Sequence, residues 1–158
     1  MSRVLDLLAK ARRIVLATDY IEPEGIEEEL MRVTRAQSLR EAIDALLSAL
    51  RGACRREFEV VYDNPVLRGR TYGLGMFACR DLFVVYGSEV DEGYLDYEFF
   101  AGTRKEAERE LKRFAEEIVE DLEHALGEAR SYGATKKEVE ELERAIEHLR
   151  REYLSDRG

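Results

Sequence analysis

Glu57-Phe58-Glu59-Val60-Val61-Tyr62-Asp63 is the stretch whose pattern decides the fold. Phe58, Val60 and Tyr62 alternate with Glu57, Glu59, Val61 and Asp63, and a period of two sends successive side chains to opposite faces of a strand. Asp63-Asn64-Pro65 is a turn signal. Beyond it Tyr72, Leu74, Met76 and Ala78 share one face while Thr71, Gly73, Gly75 and Phe77 share the other. Strands over 57–63 and 70–79 therefore form a hairpin.

The pattern continues outward. Arg80-Asp81 reads as a tight link into a β-branched and aromatic run, Leu82 to Tyr86, which predicts a strand over 82–87. Gly87 to Gly93 reads as the next turn. Tyr94 to Phe100 alternates again, with Leu95, Tyr97 and Phe99 opposite Tyr94, Asp96, Glu98 and Phe100. Four short-linked strands predict an antiparallel β-meander packed on helices, and hence an α+β fold.

Helical periodicity flanks the meander on both sides. Ser2 is a candidate N-cap for a helix that places Val4, Leu5, Leu8 and Ala11 on one face. Ile14 to Thr18 fits either an extension of that helix or a short buried strand, and is read as helix, giving a segment over 3–18. Ile21-Glu22-Pro23-Glu24-Gly25 breaks the chain. Ile26, Leu30 and Val33 mark a helix over 25–36, and the S-x-x-E pattern of Ser38 and Glu41 opens another over 39–52. After the meander, Thr103 with Glu106 and Thr135 with Glu138 cap helices over 104–130 and 136–153, with Gly133 between them. The first carries a wide apolar stripe from Leu111 to Leu126. The second carries a narrow one, and together they predict a long C-terminal helical hairpin.

Composition bounds the function classes. The chain has 158 residues, a usual size for one domain, and no linker or repeat divides it. Its start, MSRVLDLLAKARR, lacks the apolar run of a signal peptide, and no later stretch approaches a membrane span. A cytoplasmic protein is expected. The formal net charge of −9 opposes a phosphate backbone and disfavours nucleic acid without excluding it. One Asn and one Gln beside abundant Glu and Arg suggest a thermophile, although a GC-rich genome would explain the Arg equally well. Cys54 and Cys79 lack metal-ligand spacing and are read as unpaired buried thiols, with a disulfide as the alternative in a hyperthermophile.

Three sets of residues carry candidate functions. Val139, Leu142, Ile146, Leu149 and Tyr153 follow the 3-4 spacing of a seam for one partner helix, supplied by the preceding helix or by a second subunit. Arg68, Arg70 and Tyr72, with Arg55 and Arg56, have the cation-and-ring composition that holds single-stranded nucleic acid. Asp96 and Glu98, two apart on a strand, are weak candidates for a divalent metal, with Glu59 or Asp63 to help and no Lys or His nearby. His124 and His148 lie among charged helix residues, and no nucleophile motif accompanies them. No cofactor is implied. The reading that results is a small acidic non-enzymatic adaptor or subunit that acts through its helical hairpin and sheet edges, with a protein partner or another copy of itself. A nucleic-acid-binding protein and a metal-dependent hydrolase are the alternatives.

Overall fold

A computed structural model describes residues 3–18 and 25–155. The Ser2 cap and the break at 21–24 lie outside those residues. Within them the elements run α1 (Arg3–Ala11), β1 (Arg13–Ala17), α2 (Ile26–Thr34), α3 (Leu39–Ala53), β2 (Arg55–Asp63), β3 (Thr71–Ala78), β4 (Phe83–Asp91), β5 (Tyr94–Gly102), α4 (Arg104–Gly127) and α5 (Lys136–Leu149). A π-helical turn, Arg150–Leu154, follows α5. The fold is α+β with an antiparallel sheet.

Among the described residues the sheet has five strands in the order β1-β5-β4-β3-β2, so the expectation of four is corrected. The added strand is the run from Ile14, expected to be helical. Arg12 adopts φ 65° and stops α1, and the β-branched run then pairs antiparallel with β5, Ile14 opposite Phe99 and Leu16 opposite Tyr97. Ile14 and Leu16 thereby enter the core.

A second correction concerns Gly87. The chain does not turn there; β4 runs on to Asp91, and the turn is Glu92-Gly93, with Gly93 at φ 77°. Gly87 is needed for packing. A Cβ on it would lie 2.8 Å from the Phe114 ring, so the missing side chain is the space into which α4 settles.

Helices cover both faces of the sheet. On the first face α1, α2 and α3 pack on Ile14, Leu16, Phe77, Val84, Tyr86 and Phe99. On the second face α4, α5 and the π turn enclose Tyr72, Leu74, Met76, Val85 and Phe100 with Phe114, Ile118, Leu122, Leu142 and Leu149. The Thr103–Glu106 and Thr135–Glu138 capping boxes form as read, and Ser38 accepts from the Glu41 amide. Each box ties down otherwise unsatisfied amides at a helix start. No described helix is long and apolar enough to cross a membrane.

Cys54 and Cys79 are joined as a disulfide, which corrects the reading of two free thiols. Register explains the pairing. Arg55 stands opposite Ala78, so the next positions along the ladder, Cys54 and Cys79, meet with Cα atoms 4.5 Å apart. Closing a loop of 25 residues restricts the unfolded chain by about 3.5 kcal/mol in the chain-entropy picture. Reduction, or the Cys54→Ala/Cys79→Ala variant, is therefore expected to lower the unfolding free energy by about 2–4 kcal/mol in a denaturant titration. An unchanged midpoint would show that the crosslink does not form.

Candidate functional site

The carboxylates of the second face converge on a narrow cleft of about 90 Å³ between α4 and strands β4 and β5. Glu89, Asp96, Glu98 and Glu117 line it beside Gly87 and Tyr72. Much of this charge is engaged within the fold. Arg13 of β1 and Arg113 of α4 both pair with Glu98 and with Glu110, stitching the edge strand to the helix. Arg70 pairs with Asp91 at 3.1 Å and with Asp121 at 3.3 Å. Tyr72 donates its hydroxyl hydrogen to Asp121 and accepts from Asn64 Nδ2 at 3.0 Å. Burial, with the acceptor Asp121 beside it, pushes the Tyr72 phenol up, so it stays protonated.

Glu89 is the strained member. Burial holds its carboxyl above the ordinary range, the charges of Asp121, Asp96 and Asp91 add to the effect, and Arg70 opposes it. Glu117, whose side chain is 57% exposed, pairs with Arg113 at 2.7 Å. Asp96 and Glu98 thus share a cleft, but among the described residues no group of three or more His, Cys, Asp or Glu is placed to hold a metal ion.

The arginines singled out with Tyr72 fall at opposite ends of β2. Arg55 and Arg56 begin the strand, opposite Ala78 and Phe77, whereas Arg70 lies beyond its far end, opposite Asn64. Nine residues of strand, about 30 Å, separate the two sets. Arg68 is 86% exposed with one long contact to Glu138, and it lines a shallow groove of about 530 Å³ with Leu67 and Tyr132. Tyr72 is 1% exposed, so its ring faces no solvent on which a base could stack.

The seam residues turn inward. Leu142, Ile146 and Leu149 are buried in the second core, and Val139 and Tyr153 are half-buried. Tyr153 packs against Phe58, with ring centroids 5.5 Å apart, and His148 Nδ1 lies 2.7 Å from the Tyr62 hydroxyl. Both contacts brace β2 from behind.

Strand β2 itself is the feature that periodicity alone did not single out. Among the described residues it is a sheet edge, with β3 on one side only. Asn64 donates its amide to the Arg70 carbonyl, and Cys79 and Leu82 exchange both backbone bonds across the β3–β4 turn. Alternation from either point gives the same result: Phe58, Val60, Tyr62 and Asn64 bond inward to β3, while Glu59, Val61 and Asp63 direct N–H and C=O outward. A bulge at Glu57 shifts the register, leaving Arg56, Glu59, Val61 and Asp63 together on the first face. Val61 is 71% exposed there, one of two large exposed apolar side chains among the described residues. Glu59 accepts from Arg51 Nε and Nη2, each at 2.8 Å, and from the Tyr86 hydroxyl at 2.5 Å, and the Arg51 bonds hold its carboxyl below the ordinary range.

No protein family matches the chain, and neither a curated protein nor a solved structure is similar to it.

The cleft generates a pH expectation with a definite sign. Because the folded pKa of Glu89 lies above its unfolded value, the folded chain retains that proton longer, and stability falls as pH rises from the ordinary carboxylate range to the raised one. Glu89→Gln is expected to melt above the wild type at neutral pH, with the difference closing in acid. A variant that melts lower at neutral pH would show that attraction to Arg70 outweighs the burial.

Proposed function

We propose that this chain is a non-enzymatic protein-interaction subunit that binds its partner by adding a strand to the β2 edge. The observation that carries the reading is the strand's outward row of backbone groups at Glu59, Val61 and Asp63, beside an exposed Val61 on a nine-residue strand. An open edge of this length templates another strand, and main-chain hydrogen bonds supply the affinity.

The arrangement around β2 supports the same reading. The seam of α5 meets its own chain, so its role is to brace the edge; in this view α4 and α5 act as a helical hairpin that keeps β2 straight and does not itself engage the partner. Arg70, Tyr72 and Asp121 are likewise committed to one another. Their engagement argues for a structural part in holding α4 to β3.

The test removes one outward amide. Val61→Pro deletes a donor that β3 does not use, and proline is tolerated at such edge positions. The variant is expected to keep its circular dichroism and to lose the proteins, other copies of the chain included, that the wild type retains in parallel affinity captures. An identical captured set for both, or none for the wild type, would contradict the reading.

A further inference from the structure

We infer that the strand added to β2 is the β2 of a second copy of this chain, paired antiparallel about a two-fold axis at Val60. The inference rests on the edge-pairing reading above and specifies the partner and the register. A two-fold axis normal to the sheet keeps each face on its own side, so outward residues must oppose outward residues. That condition admits only a few registers, and charge separates them.

With Val60 opposite its own copy, Glu59 meets the partner's Val61 and Phe58 meets the partner's Tyr62. The bulge at Glu57 is decisive for the ends. It removes one residue from the count, so the position after Phe58 on the first face belongs to Arg56. Arg56 then stands opposite the partner's Asp63, and symmetry makes this pair twice. Both residues are available for it: Asp63 is exposed with no ion pair among the described residues, and the Arg56 side chain is 64% exposed with one contact, to Glu59, at 3.9 Å.

Neighbouring registers are worse on physical grounds. Centring on Glu59 places that carboxylate against its own copy. Centring on Val61 places Glu59 opposite Asp63 twice, and like charges directly opposite are destabilising. Centring on Phe58 also opposes Glu59 to Arg56 twice, but it sets Val60 against Arg55 and leaves Val61, Tyr62 and Asp63 with no strand residue opposite. Only the Val60 register combines two opposite-charge pairs with strand pairing from Arg56 through Asp63 and apolar contacts along the second face. In it the exposed Val61 lies over the aliphatic part of a glutamate whose charge Arg51 already balances. The result would be a continuous ten-stranded sheet.

Light scattering after size exclusion, run over a concentration series, tests this directly. The wild type is expected at twice 18.3 kDa. Arg56→Asp and Asp63→Arg each place two like-charge pairs in the register and should weaken dimerisation roughly tenfold or more, while the double variant, with the charges exchanged, should recover it. A dimer lost in Val61→Pro but indifferent to these charges would overturn the register while leaving edge pairing in place. A wild type that stays monomeric throughout would overturn self-pairing, with capture of a different protein by the β2 edge still decided by Val61→Pro. A dimer that none of these variants weakens would overturn the inference and count against the edge reading as well.

Discussion

Among the described residues, strand β2 has a neighbour for one row of its backbone hydrogen-bonding groups and none for the other, and the organisation of the molecule around the sheet follows from that asymmetry. A backbone group left unpaired away from water is costly, so an edge strand must stay wet, be shielded or find another strand. The opposite edge, β1, meets the constraint by brevity: it has five residues, and Arg13 ties it inward to Glu98 of β5 and Glu110 of α4. Strand β2 is nearly twice as long and meets the constraint with charge, carrying Arg55, Arg56, Glu57, Glu59 and Asp63 along a strand that would otherwise invite indiscriminate pairing. Charges that oppose some registers and match others make an edge selective.

The strand is also held on every other side. The Cys54–Cys79 crosslink fixes its start, and Asn64, whose Oδ1 accepts from the amides of Val66 and Leu67, fixes the turn at its end. Arg51 and Tyr86 secure Glu59 on the first face; Tyr153 and His148 support Phe58 and Tyr62 on the second. Gly73 and Gly75 of β3 lie where Ser88 and Tyr86 cross from β4, a close approach that a side chain on either glycine would obstruct. A strand fixed in this way gives up little further freedom when another strand joins it, which favours association.

Much of this was legible before any coordinates. Alternation located β2, β3 and β5, and capping patterns located the starts of α3, α4 and α5, because these are local consequences of residue order. The failures share a different origin. Ile14 to Ala17 is too short for periodicity to distinguish helix from strand, and its pairing with β5 is decided by residues far along the chain. Gly87 looked like a turn because its purpose, admitting Phe114, belongs to tertiary packing. The disulfide depends on a register that brings Cys54 opposite Cys79. Arg55 and Arg70 were grouped by composition, whereas the hairpin sends them to opposite ends of β2. The 3-4 spacing of α5 announced a partner, the preceding helix or a second subunit, and left the choice to tertiary packing. That β2 is an edge is a matter of strand order, which no local pattern encodes.

Residue-resolved amide hydrogen exchange on the wild type, at low and at high protein concentration, tests the central claim most directly. The account predicts that Val60 and Tyr62, bonded to β3, are protected at both concentrations, while the outward amides of Glu59, Val61 and Asp63 exchange freely when dilute and become protected when concentrated. Outward amides protected equally at both concentrations would show that the edge is already covered, and outward amides that remain open at both would show that no second copy pairs there.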